Sequence, residues 1–325
     1  MDTELVMDES EASQQSVISP VIVGSYIAVT IAAIVIYIFA YIGFFRNRKD
    51  ELVRTVFTHM FLIHGLFDIA FLLVCAVFVV PKYFPATWPT FYNMNETVWA
   101  PIVEIAVSYL FVSQCLGVAL LAIERFLGTF DVLSWIHEVI EHTPRILIFL
   151  FRLAFPILAV YPLFSADDAF YYFDDTQSII TLYTIHHGGI QTSHIGPMLI
   201  LSAIIAAVCY IFIIPRDVCM FCRNKRKIRG MDDDERMTIL GFLMFIPQVI
   251  SAVFAIRGRI AKQEDDLELA LWLKAKLFFV QYALCTVGPL ALLLSRRARG
   301  LLFCSTRPVS PSKRVLANPS QQTVA

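Results

Sequence analysis

Two pairs of side chains stand where their types and spacing could do chemistry. His64 and Asp68 lie four residues apart in the apolar run Thr55–Val80, so a helix there would carry both on one face. An imidazole and a carboxylate sunk in an apolar segment can hold an ion, pass a proton or bind water, and such groups normally face an interior. The plainer use is a satisfied, hydrogen-bonded interior pair, and at this stage both readings stand. Glu124 and Arg125 close a second run that starts at Glu104. The arginine head is planar, permanently charged and a multiple donor. It can anchor a helix end at an interface, or it can clasp carboxylates and release them. Asp232, Asp233, Asp234 and Glu235 precede a later apolar run that begins at Met237, and Glu235 is the acid nearest to it. Arg152, about two turns into another run, either reaches out to the interface or pairs with an interior carboxylate.

Catalytic patterns are missing from the sequence. It contains no nucleophile elbow, phosphate loop, His-Glu-x-x-His pattern or paired catalytic carboxylates, so the expectation is a protein that is not an enzyme and needs no cofactor. His186-His187 has no cysteine beside it, and Cys219-x-x-Cys222 occurs once with no second pair. Neither makes a metal site. The segment RNKRKIR (223–229) holds five basic residues in seven. It suits anionic lipid or an acidic partner, and no nucleic-acid partner is expected.

The elements that must position these residues are apolar runs of membrane-spanning length. The chain of 325 residues is 58% hydrophobic with mean hydropathy +0.67, well above the usual apolar share of a soluble domain. Seven runs read as spans: Val21–Phe45, Thr55–Val80, Ala100–Ile123, Ile146–Phe164, His194–Ile214, Met237–Ile256 and Leu271–Leu294. The fold class is therefore an all-α membrane protein, a seven-transmembrane-helix bundle. Residues 1–20 form an acidic tail with no Lys or Arg, 21–294 the bundle, and 295–325 a tail with a short interfacial helix followed by a Ser/Pro-rich end. Nineteen of the 26 Lys and Arg residues fall on one set of connections and six on the other. That asymmetry puts the N-terminus outside and the C-terminus in the cytosol. Cys304 then reads as a palmitoylation site, and Asn95-Glu96-Thr97 as a glycosylation sequon on the outer side, close to the third span.

The third span organises the rest. Glu104, Ser108, Phe111, Cys115, Val118, Ala122 and Arg125 recur at alternating steps of four and three, which keeps them on one helical face. A lipid-facing stripe would not carry Glu at one end and Arg at the other, so this helix should be surrounded by others. Glu104, Ser108 and Phe111, with Lys274 and Tyr282 of the last span, are the candidate ligand-pocket residues. Phe245-Ile246-Pro247 places an aromatic and a helix-bending proline in the sixth span.

Seven spans, an outer N-terminus and a Glu-Arg pair closing the third span resemble G-protein-coupled receptors. LLAIERFLGTF is similar to nematode serpentine chemoreceptors of the Sra superfamily, especially its Sre-like members. There Glu124-Arg125, Gly128 and Thr129 match an ER-x-x-A-T junction, with Gly in place of Ala. The resemblance implies a chemosensory receptor of the plasma membrane, with a sensory cilium as one such location, a small-molecule ligand in its outer half and a heterotrimeric G protein as partner. Glu124, Arg125, Glu235, Phe245 and Pro247 would carry activation. The rhodopsin-like pattern is incomplete: Phe126 follows Glu-Arg, the last span has Gly288-Pro289, and no cysteine is placed to link the third span to the second outer loop. The rival class is a multi-span transporter or channel, which should show corresponding broken helices in two halves.

Overall fold

A computed structural model of the chain describes residues 20–48, 55–95, 97–130, 134–161, 169–174, 179–184, 190–223, 233–264 and 266–292. Seven long helices form the bundle: α1 (Pro20–Arg46), α2 (Val56–Phe78), α4 (Trp99–Thr129), α6 (Arg145–Val160), α7 (Ile190–Arg223), α8 (Asp233–Gln263) and α9 (Leu267–Leu292). The first three, with α7 and α8, are long and apolar enough to cross a membrane by themselves. In α6, 16 residues are helical, about 24 Å at 1.5 Å per residue. Thr55 starts α2 by accepting the backbone N–H of Thr58 on its hydroxyl, the usual way of satisfying a first-turn donor. Asp266 does the same for Leu269 at the head of α9.

The lipid-facing surface follows helical periodicity. On α1, Ile27, Ile31, Ile38 and Ile42 are exposed along one face, while Ala33, Tyr37, Ala40 and Phe44 are buried on the other. Helices α7 and α8 have similar stripes of exposed Leu, Ile and Val. In water such faces would associate or aggregate; in hydrocarbon they cost nothing. Helix α4 is different. Beyond its first turn it has almost no exposed apolar face, and it packs against α2, α6, α7 and α8. It is the central post of the bundle, as its polar stripe requires.

Three connections carry structure that the span pattern did not foresee. Trp88–Met94 is a short helix, α3, and Ser134–His142 another, α5. In α5 the apolar pairs Trp135/Ile136 and Val139/Ile140 recur one turn apart; Ile140 packs on the core while Trp135 and Val139 stay exposed. The segment after the fourth span, where aromatic residues sit among acids, holds an antiparallel hairpin of β1 (Ala169–Asp174) and β2 (Ile179–Thr184), with Tyr171 opposite Leu182. Its strands are rich in aromatic and β-branched residues, which favour a pleated surface. The bundle is thus helical with one small two-stranded addition. Helices α7 and α8 also run well past the expected spans. Apolar length marks where hydrocarbon ends, whereas a helix satisfies its own backbone and need not stop there. Asp233, Asp234 and Glu235 thereby open α8, where the helix dipole favours negative charge, and Asp232 lies outside the described residues.

Candidate functional site

At the middle of the bundle, five helices bring polar side chains together. Asp68 of α2 is fully buried and accepts the phenol of Tyr37 (α1) at 2.5 Å and the Gln114 amide (α4) at 3.4 Å. Gln114 also contacts the Cys285 thiol of α9. His64 sits one turn from Asp68 with its Nε2 3.6 Å from the carboxylate, too far for a hydrogen bond. The fifth helix supplies Arg152 from α6, which is only 1% exposed. Its guanidinium donates to the Ser113 carbonyl at 2.6 Å, reaches His64 Nδ1 at 3.3 Å and lies over the Phe67 ring at 4.8 Å. So Arg152 does not snorkel; it turns inward, towards His64 and Asp68. His64 and Asp68 belong to a larger set than the two-residue pair the spacing suggests.

Glycines make room for this set. A Cβ on Gly117 of α4 would run into His64 Nδ1 and lie 2.6 and 2.8 Å from the Arg152 guanidinium nitrogens. Tyr37 similarly lies between Gly65 of α2 and Gly288 of α9. Small residues at helix contacts let large polar ones enter. Sequence reasoning missed Tyr37, Ser113, Gln114 and Gly117. The run Ser113-Gln114-Cys115 inside a span was the available signal, since polar residues there normally face the interior.

At the Arg125 end, the arginine donates from Nε to Glu124 at 3.1 Å and covers the Phe57 ring of α2 at 4.0 Å. Both charged side chains are largely covered. The proposed partner Glu235 falls in α8, but its side chain lies outside the described residues. Phe245 and Pro247 are on α8 as expected. Phe245 packs on Tyr210 of α7 at 5.4 Å, and Pro247 is buried. Gln248, next to that proline, donates to Ser202 of α7 at 2.6 Å and to the Cys115 carbonyl of α4 at 3.4 Å. Gln281 of α9 donates to Ser251 of α8 at 2.9 Å. These two glutamines tie α8 to its neighbours around the proline, and nothing in their spacing announced them.

At the Glu104 end the candidate pocket residues separate. Ser108 and Phe111 are buried on α4, and Phe111 packs with Val160, Leu199 and Ala252 towards α6, α7 and α8. Tyr282 belongs to another cluster, and its hydroxyl meets Thr30 and the Tyr26 carbonyl of α1. The side chain of Lys274 lies outside the described residues. Lys276 rests against the rings of Trp272 and Phe279 on the helix surface, which is an anchoring position. Glu104, half-buried, neighbours the hairpin residue Tyr171. Burial pushes the Tyr171 phenol well up, and the Glu104 carboxylate pushes the same way.

Asn95 is committed to that hairpin. Its Nδ2 donates to the Tyr171 carbonyl at 2.8 Å, and its Oδ1 accepts the Tyr171 N–H at 2.6 Å. Cys304, the Cys219–Cys222 pair's side chains and His186-His187 lie outside the described residues. Among the described residues no three His, Cys, Asp or Glu side chains gather as a metal site, and Cys75, Cys115, Cys209 and Cys285 are buried free thiols. A family model described as serpentine type 7TM GPCR chemoreceptor Srv matches residues 26–301. No curated protein matches the chain.

Proposed function

The chain belongs to the Srv family of serpentine seven-transmembrane chemoreceptors, and from that premise we propose that it binds a small molecule at the Glu104 end of the bundle and activates a heterotrimeric G protein at the Arg125 end. It is a multi-pass membrane receptor of nematode serpentine type. The junction motif resembles Sre-like members, whereas the matched family is Srv; about ten residues do not separate one serpentine family from another. The charge asymmetry of the connections supports an outer Glu104 end and a cytosolic Arg125 end, at the plasma membrane.

One observation supports the reading above the others. Helix α4 is buried along its length and carries Glu104, Ser108 and Phe111 at one end and Glu124 and Arg125 at the other. It packs on α2, α6, α7 and α8, so a displacement at its ligand end is felt by the helices that frame its other end. Coupling requires differential contact in two states. The pairing of Arg125 with acids at the start of α8, near Glu235, would hold one of them, and Phe245 with Pro247 would supply the bend.

The test is a small-molecule screen on the full chain with G-protein nucleotide exchange as readout. An active compound whose potency shifts in Glu104→Gln at equal surface level supports the site. Exchange that no compound stimulates, together with substrate flux in proteoliposomes, would favour a transporter instead.

A further inference from the structure

The hairpin has no covalent tie to the bundle, for the sequence has no cysteine between Cys115 and Cys209. Yet Tyr171 is 1% exposed, although it sits on a two-stranded hairpin that cannot bury anything by itself. Its ring meets Phe91 of α3 edge-on at 5.0 Å and packs with the fully buried Ala100 in the first turn of α4. Lys82, after α2, stands over the ring at 4.9 Å. Its hydroxyl is buried without a hydrogen-bond partner, on the side where Glu104, one turn beyond Ala100, is the neighbouring charge. Both backbone polar groups of Tyr171 go to one side chain, the amide of Asn95. Asn95 therefore does what an adjoining strand would do, at a single residue, from the link between α3 and α4.

We propose that Asn95 and Tyr171 form a non-covalent latch that holds the hairpin over the Glu104 end of α4, and that Asn95 is this positioning residue and not a glycan acceptor. The two uses exclude each other for a stereochemical reason. A side-chain amide that pairs with the N–H and C=O of one residue must donate the hydrogen lying cis to its own oxygen. In an N-linked glycan the amide is trans, as peptide amides are, so the sugar carbon takes that same cis position. A glycan on Asn95 would remove the donor and push the hairpin away. The bearing of the latch on ligand response rests on the reading that places the ligand site beside Glu104.

The experiment uses the full receptor, with Asn95→Ala, Tyr171→Phe and Glu104→Gln at matched surface level. Amide hydrogen exchange of residues 169–174 reads the latch without any ligand. Loss of two hydrogen bonds of ordinary net strength predicts about tenfold or more faster exchange in Asn95→Ala, while Tyr171→Phe, which keeps ring and backbone, stays near wild type. The wild-type band should not shift on treatment with a glycosidase that removes N-linked glycans. A concentration–response curve displaced about fivefold or more in Asn95→Ala, with the hairpin opened, completes the case. Unchanged exchange in Asn95→Ala, or a glycosidase shift that this variant abolishes, overturns the latch. Faster exchange with unmoved response curves, while Glu104→Gln does move them, overturns the positioning role and leaves the ligand site standing. Faster exchange with neither variant moving the curves upholds the latch and removes the ligand site from Glu104.

Discussion

The most consequential side chain in the bundle is Arg152, and its position depends on a residue with no side chain. A buried guanidinium is costly unless charge and hydrogen bonds compensate it. Here the Ser113 carbonyl, His64 and the nearby Asp68 share that task. Gly117 leaves the volume in which the guanidinium lies. We predict that Gly117→Ala lowers stability by about 1–3 kcal/mol, the range of overpacking in a filled core, measured by thermal unfolding of the solubilised receptor. Gly24→Ala is the control, because nothing lies within 4 Å of its added carbon; there the better helix former should be neutral or slightly stabilising. Equal effects at the two glycines would mean that Arg152 does not occupy this volume. Sequence alone flagged Arg152 and left two fates open, since burial depends on which face of α6 turns inward. Gly117 was invisible for a related reason. A glycine in a span has meaning only once its neighbour across the interface is known.

Among the elements, α7 and α8 meet at Tyr210 as well as at the Gln248–Ser202 bond. Tyr210 meets Phe242 edge-on at 5.6 Å and Phe245 at a tilt at 5.4 Å, and a Cβ on Gly241 would collide with its hydroxyl. That hydroxyl is buried without a partner, and an unsatisfied buried group costs about 1–3 kcal/mol. Tyr210→Phe should therefore leave stability unchanged or raise it, whereas Gly241→Ala should lower it by about 1–3 kcal/mol. In the double variant the cost of Gly241→Ala should largely disappear, a coupling that a double-mutant cycle reads directly. Additive effects would refute the contact. At this scale the sequence was most legible where apolar length sufficed: each of the seven spans falls on a helix, with 162–164 and 293–294 outside the described residues. It was least legible between them. The hairpin was hidden because its aromatic strands sit among acids that read as loop. Helix α5 was hidden because a nine-residue amphipathic segment is too short to separate from a polar connection by composition.

For the whole molecule, the question is how one end informs the other. Without a covalent link between the hairpin and α4, surface expression and response should be insensitive to mild reductant; a clear loss on reduction would point to a disulfide at residues outside those described. The larger prediction concerns the Arg125 end. Arg125 is held by Glu124 and by the face of Phe57, so its head is already placed among α2 and α4. Helix α8 begins at Asp233 with its acids in the first turn. If those acids, Glu235 foremost, hold the resting state, their contact has to be worth more than an exposed pair, which contributes about 0–1 kcal/mol. A partly desolvated, bidentate pair contributes a few, and coupling free energies of about 1–3 kcal/mol change activity 5- to 150-fold. Glu235→Ala should then raise basal nucleotide exchange several-fold at matched surface level. Arg125→Ala should reduce stimulated exchange, because the same head is expected to meet the G protein once released. Glu124→Gln separates the local pair from the distant one. If Glu124 merely orients Arg125, this variant should shift basal activity less than Glu235→Ala does. Wild-type basal exchange in Glu235→Ala, with normal coupling in Arg125→Ala, would reduce the Glu124–Arg125 pair to an anchor of α4 at the interface.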